Sequence, residues 1–494
     1  MKKTMLFAIA AVALASCDMD INDDPNYPSE TDITAPLQFP AAINAVAACT
    51  GDAMFNYAGF FVQYFDQRPE ANQYNDLAEL NLEETSDLFI RPYRVMYAGA
   101  LQDLKEVMEK TTNTADLFIA QVVRTQAFQL LVDNTDMTPY KEALQGYANS
   151  TPHYDDGQTV YEGVLQELDE AEARLESDDV ISMTDPLLNK NIGQWKGYAN
   201  ALRLRMYLRF IDADINAADY INKVKALVAA DEFFSGDVAW DVYSNQEGQY
   251  NPWYDAVFNL SANNHCVTYP FVEYMKQTDD PRLSYCILPR TSDNTYVGLY
   301  PGSKQDNTFW NNSTPKNADV SCIDYSRLHD MPIFLFTQSE LQLLIAEVQL
   351  RFNSNDAAAR TAYETGVTSD FAYRGMADDA ATFLSAEGAW AGSSDQKLHL
   401  IYMQKWVALF MRDHMEAWSE QRRTDVPAVS ALTAEQVKAD PAAYTPGELL
   451  IPVRNLKGNG GLCMSVPYSS DSRKYNNNTP KARTITDRVF WDVK

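Results

Sequence analysis

Residues 337–369, TQSELQLLIAEVQLRFNSNDAAARTAYETGVTS, decide the fold. Thr337 and Glu340 form the Thr-x-x-Glu pattern of a helix N-terminus, where the hydroxyl accepts from the backbone and the carboxylate reaches back. Leu341, Leu344, Ile345 and Val348 then recur on one helical face. Asn353-Ser354-Asn355-Asp356 breaks the pattern, and a second helix is predicted from 357 to about 369. This capped hairpin has nearly the length of a tetratricopeptide unit, about 34 residues.

Similar patterns lie on both sides. Residues 116–131 place Ala120, Val123, Ala127 and Leu131 inward. A second Thr-x-x-Glu, Thr159 and Glu162, opens a helix carrying Tyr161, Val164, Leu165, Leu168 and Leu175. Its partner begins near Gln194, with Trp195, Tyr198, Ala199, Leu202 and Met206 in step. One long helix is predicted from about 396 to 419, carrying Tyr402, Trp406, Leu409, Phe410 and Ala417. The fold class is mainly α: tetratricopeptide-like helical pairs, few short strands, and a large irregular loop-rich module. The divisions are 1–16, 17–35, a scaffold over 36–229, the loop module over 230–333, more scaffold over 334–427, and an irregular segment over 428–494 packed on it.

Residues 1–16 read as a secretory signal: Lys2 and Lys3 precede an apolar run over 5–13. That run is far shorter than the roughly 20 residues a membrane span needs. Leu14-Ala15-Ser16-Cys17 resembles a lipobox, which implies Cys17 as the lipid-attachment residue and a stable membrane anchor. The Asp-rich, Pro-containing stretch over 17–35 reads as an extended tether. Its Asp18-x-Asp20-x-Asn22 spacing lacks the Gly and Glu that complete a calcium loop. No cofactor is called, and a structural metal such as calcium is left open.

The chain's 68 acids against 40 bases give a formal charge of −28, the wrong sign for neutralising phosphates or docking on anionic lipid. Removal of Lys2 and Lys3 with the signal makes it 38 − 68 = −30. Aromatic content of 12% excludes a disordered chain. Beyond Cys17 the cysteines are Cys49, Cys266, Cys286, Cys322 and Cys463, without Cys-x-x-Cys, so neither a zinc knuckle nor a redox pair of that type is indicated. One disulfide among Cys266, Cys286 and Cys322 is compatible with the spacing, with the pairing open. Nucleophile-elbow, zincin, phosphate-loop and dinucleotide motifs are all missing. The five histidines lack metal-ligand spacing and read as surface or capping residues. Glu83/Glu84 and Asp378/Asp379 are the chance acid pairs expected among so many carboxylates. No catalytic residue and no metal ligand are assigned.

The loop module is dense in rings: Trp240, Tyr250, Trp253, Tyr254, Tyr269, Tyr296, Tyr300 and Trp310, interleaved with amides such as Asn263 and Asn294. Sugars present apolar C–H faces that rings cover and hydroxyl rims that amides and carboxylates bond. About half of these rings are expected to form the module's own core. Trp253, Trp310, Tyr296 and Trp240 are the foremost ligand candidates, because large rings among Asn, Gly and Pro are hard to bury. A second candidate wall is Tyr64, Asp66, Arg68 and Tyr74.

Several strings carry a family resemblance: the lipobox with its Asp-Asp-Pro-Asn, QWKGYANALRLR (194–205), DDPRL (279–283), LIAEV (344–348), QKWVALF (404–410), EAW (416–418), RRT (422–424) and VFWD (489–492). Together they resemble the SusD/RagB-like nutrient-binding outer-membrane lipoproteins of Bacteroidetes. That resemblance implies a non-enzymatic receptor on the cell exterior, partnered with a SusC-like TonB-dependent barrel that imports the captured oligosaccharide. No binding residue carries over with these strings. The net acidity favours a neutral glycan over a uronate polymer. Three other readings stand beside it: a peptide-capturing RagB-like receptor, a surface glycoside hydrolase, and a structural helical-repeat scaffold.

Overall fold

The computed structural model describes residues 34–494 except 84 and 260–262; Cys17 and the signal lie outside the described residues. The longer helices are α1 (Ala35–Gly51), α2 (Ala53–Phe61), α3 (Gln102–Lys110), α4 (Thr114–Thr135), α5 (Gly157–Glu172), α6 (Ile192–Asp212) and α7 (Ala217–Ala230). They continue with α8 (Tyr269–Gln277), α9 (Gln338–Arg351), α10 (Asp356–Tyr373), α11 (Ala377–Ser385), α12 (Ser394–Leu409), α13 (His414–Thr424) and α14 (Ala434–Ala439). Neighbours in sequence pack as hairpins, α4 on α5, α6 on α7, α9 on α10 and α12 on α13, and α9 also lies against α12. This is the expected mainly helical class. None of the described helices is long and apolar enough to cross a membrane.

The α9–α10 hairpin forms as its sequence dictates. Thr337 caps α9 by accepting from the Glu340 amide at 3.1 Å, and Asn355 caps α10. Gly366 lets the two helices close, since a Cβ there would sit 3.0 Å from Leu343 Cγ and the Ser339 carbonyl. The Glu340 carboxylate does not return to the cap, however. It takes a bidentate bond from Arg205 on α6, Nε to Oε1 at 2.9 Å and Nη2 to Oε2 at 2.8 Å.

Two helix boundaries differ from expectation. α5 starts two residues before Thr159, because Asp156 is its cap, accepting from the Thr159 amide at 2.8 Å; Leu175 lies beyond its end. The single helix predicted over 396–419 is two, α12 and α13. Met411 takes a left-handed φ of +59°, and Asp413 caps α13 through the Glu416 amide. Arg374 donates to the carbonyls of Val407, Ala408 and Phe410, occupying acceptors that a helix end leaves open.

Charged side chains cross-tie these hairpins inside the core. Arg209 on α6 joins Asp133 on α4 at 2.6 Å and Glu416 on α13 at 2.7 and 2.9 Å. Arg423 on α13 holds Glu347 on α9 at 2.7 and 2.8 Å, with Glu420 and Asp212 on its other edges. Lys405 and Arg351 complete this cluster. Arg422 takes another role: it donates to the Asp133 and Met464 carbonyls and lies 3.7 Å from the centre of the Trp418 ring.

Strands are few and short: β1 (Phe65–Gln67), β2 (Val238–Trp240), β3 (His265–Val267), β4 (Ile287–Leu288), β5 (Cys322–Ile323) and β6 (Ile333–Phe336). β2 pairs with β6, and the other four form one sheet in the order β1-β3-β5-β4. Through β1 the sheet ties the loop module to the segment following α2, 200 residues earlier in the chain.

Burial raises Glu420, but Arg423 and Lys405 beside it hold it down to about 2. A carboxylate depressed in the fold stabilises above its unfolded value of 4.5 and loses that contribution as pH falls through about 2. Arg423→Met leaves buried acids short of their partner and is expected to cost about 3–5 kcal/mol in urea unfolding at pH 7. The gap between wild type and variant narrows below pH 4.5. A loss under about 1 kcal/mol at pH 7 contradicts a core role for the pair.

Candidate functional site

The four-stranded sheet gathers chain ends that carry ligand chemistry. Arg68 follows β1, Asn263 and Asn264 precede β3, and Tyr325 follows β5. Gln67 stands opposite His265 in the β1–β3 register, the Arg68 amide donates to the Asn264 carbonyl at 2.8 Å, and the Asn264 amide group donates to Gln73 at 2.7 Å.

Below this edge lies an aromatic floor. Trp253 stacks on Phe65 (5.6 Å, 8°) and on Tyr325 (5.7 Å, 29°). Its indole N–H donates to Asn56 Oδ1 at 3.1 Å, and His265 Nε2 lies 2.7 Å from the same oxygen. The other His265 nitrogen, Nδ1, lies 2.6 Å from the Tyr325 hydroxyl. His265 is therefore a neutral ring, with Nε2–H donating to Asn56 and Nδ1 accepting from Tyr325. Burial drives its pKa down to about 3. His414, stacked on Phe55 at 3.6 Å, is likewise buried and neutral. Two of the five histidines are thus core residues, correcting the surface reading; fixed partners on both ring nitrogens make their burial tolerable.

Above the floor the rings reach solvent. Phe258 is 41% exposed and stacks on Tyr325 (5.0 Å, 11°), Tyr254 follows at 5.4 Å, and Tyr250 lies 5.3 Å beyond. Tyr254 and Phe258 are spaced by four in a short helical stretch, Pro252–Tyr254 continuing as Asp255–Asn259, which sets them along one side, and Tyr250 precedes its cap. Tyr74, half-buried, borders His265 at 4.9 Å. Half-buried Arg68 has a buried Nε with no hydrogen-bond partner among the described residues. Exposed rings can cover a sugar face, and a guanidinium at the neighbouring strand end, such as that of Arg68 near Tyr325, can bond hydroxyls or grip a peptide carbonyl or carboxylate.

The remaining candidates divide in two. Tyr269 and Tyr300 stack at 4.3 Å, joined by Phe309, Trp310 and Tyr444 in a satellite cluster. Lys438 lies over Phe309 and Trp310 at 4.5 and 4.6 Å, beside a cleft of about 470 Å³ lined also by Asp306 and Glu435. Tyr296 is half-buried against the main core, and Asn294 is exposed in a turn closed by Arg290 and Asp293. Asn263 accepts from the His265 amide at 3.2 Å.

Trp253, Tyr64, Asp66, Trp240 and Tyr300 are buried, so these candidates fall on the core side of the expected division, against the placing of Trp253 and Trp240 among the foremost ligand rings. Trp253 points inward from the same short helix whose other side carries Tyr254. Tyr64 stacks on Trp406 in the core, and Trp240 lies in β2. Tyr300 is covered by Tyr269 and Phe309. Asp66 latches the loop at Gly302 by accepting its amide at 2.8 Å; burial pushes its carboxyl up to about 8 against two backbone bonds that favour the charge. Phe258 is a functional candidate that the sequence reading missed, signalled by its four-residue spacing from Tyr254, and buried Tyr325 is the ring it rests on. Among the described residues no group of three or more His, Cys, Asp or Glu is arranged to hold a metal.

The family model described as starch-binding associating with outer membrane, SusD-like, matches residues 27–445. A solved chitin-binding protein superposes with a TM-score of 0.72 at 21% identity, over 92% of this chain and 100% of that one. A chitin-binding SusD homologue from Flavobacterium johnsoniae gives 0.70 at 18%, over 93% and 98%. A SusD homologue from Bacteroides uniformis gives 0.67 at 20%, over 92% and 99%. At these identities the likeness is one of fold. No curated protein sequence matches the chain.

A neutral His265 contributes stability above its unfolded pKa of 6.5 and loses it as pH falls toward about 3. Relative to His265→Gln, wild type is expected to lose about 1.4 kcal/mol per pH unit between pH 6 and 4 in denaturant titrations. Parallel stability curves for the two proteins contradict the buried neutral ring.

Proposed function

The chain belongs to the SusD-like family, and on that premise we propose that it is an outer-membrane lipoprotein, anchored through Cys17, that captures neutral oligosaccharide at the cell exterior. In this reading it turns nothing over and passes the glycan to a SusC-like TonB-dependent barrel. The carrying observation is the ladder of exposed Phe258 and half-buried Tyr254 and Tyr250 resting on Tyr325, with half-buried Arg68, whose charge acts on Tyr325, at the adjoining strand end. Exposed ring faces suit the C–H faces of pyranosides, and guanidinium donors suit their hydroxyls. Two of the structural neighbours are chitin-binding proteins, which supports a neutral sugar, as does the net charge of −28.

Calorimetry of the protein against chito-, malto- and other neutral oligosaccharides, uronates and peptides tests this. Phe258→Ala and Arg68→Ala are each expected to weaken the bound glycan tenfold or more, about 1.4 kcal/mol. Trp253→Ala is expected instead to lower global stability by about 3–5 kcal/mol through the cavity it opens. Unchanged affinity in both site variants overturns the assignment. Binding of peptides alone transfers the face to the RagB-like reading, and cleavage of any glycan restores the hydrolase reading.

A further inference from the structure

Cys266 in β3 and Cys322 in β5 stand directly opposite each other in the antiparallel register. The Val267 amide donates to the Ser321 carbonyl at 3.1 Å, which makes the neighbouring cysteines the non-hydrogen-bonded pair of the ladder. In such pairs the Cα atoms lie about 4.5 Å apart with both side chains on one face. That is the short end of the roughly 4.4–6.8 Å range that a disulfide spans. Cys286 is a poorer partner. Leu288, not Cys286, stands opposite Cys322 across β4, so Cys286 is diagonal to it, at a Cα spacing of about 7–8 Å in general.

The two thiols differ in access. Cys266 is fully buried, with its Sγ 3.5 Å from the Asp66 carbonyl, whereas Cys322, on the inner strand β5, is partly exposed. Burial raises the pKa of both, and at Cys322 the Arg68 guanidinium and the Asn263 side chain oppose that rise. Cys322 is the thiol placed to react first with a solution reagent.

We propose that Cys266 and Cys322 form a reversible cross-strand disulfide, a modification site in the sheet beneath the ligand face. With a glutathione-type disulfide as oxidant, the Cys322 thiolate attacks one glutathione sulfur and expels the other as glutathione thiolate, which takes up a proton. The Cys266 thiolate then attacks Cys322 Sγ in this mixed disulfide and expels the second glutathione. Two protein thiols and one oxidised glutathione become one protein disulfide and two reduced glutathiones. The partial exposure of Cys322 leaves the bond open to attack by a reducing thiol, which makes it reversible. The inference is independent of which ligand the face takes.

The full chain, equilibrated with oxidised glutathione at mildly alkaline pH, alkylated and digested without reduction, is expected to yield a peptide linking Cys266 to Cys322. Dithiothreitol abolishes that peptide. Cys266→Ser is expected to stop with one glutathionyl group on Cys322. Alkylation of both thiols in the wild-type protein after equilibration overturns the proposal, as does a link from either residue to Cys286. A wild-type protein that stops at the Cys322 mixed disulfide overturns it too, and needs no variant to be read.

Discussion

The Arg423–Glu347 pair, with Glu420, Asp212, Lys405 and Arg351 around it, is the interaction on which the rest of the structure depends. It joins α13 to α9 and both to the end of α6, elements far apart in sequence. Apolar packing alone would let helix hairpins slide along one another, since one leucine fits a groove much as the next does. A bidentate guanidinium–carboxylate bond in a dry core has one good geometry, and any slip leaves a charge unpaired. The Arg205–Glu340 and Arg209–Glu416 bonds apply the same constraint between α6 and its neighbours. The helical scaffold is thereby held in one register, and its long inserted loops can be placed accurately.

Those loops acquire order from a sheet of very short strands. β1 leaves α2 and pairs with β3, so the module is sewn to the first helices rather than to the α7–α9 flanks between which it is inserted. Arg68, Asn263 and Tyr325 come together because each sits at the end of one of these strands. Two- and three-residue strands carry no sequence signature of their own, and this convergence could not be read in advance.

The helical pairs were legible because their information is local. Thr337 and Asn355 cap where the pattern breaks, and apolar residues recur at helical spacing. The misreadings have long-range causes. Glu340 looks like a reciprocal cap until Arg205, 135 residues away, claims its carboxylate. The helix over 396–419 looks continuous until Arg374 and the left-handed Met411 end it, although Asp413-x-x-Glu416 announced a second start. The candidate site was half legible. Ring density pointed to the module that carries the exposed rings, but burial was decided by which side of a short helix each ring took: Trp253 turned inward, while Tyr254 and Phe258 remained outside.

Asn56 gives the ligand face a mechanical property. Its single side-chain oxygen receives the Trp253 and His265 N–H groups, and it stands on α2, which packs against α13. The aromatic floor is therefore bolted to the charged core through one amide, leaving little slack for the rings above it to wander. In the proposed role, a flexible oligosaccharide on this surface surrenders its own torsional freedom while the protein surrenders almost none. The entropy of such capture falls on the sugar, which adds chain stiffness to ring chemistry as a basis for selecting among glycans.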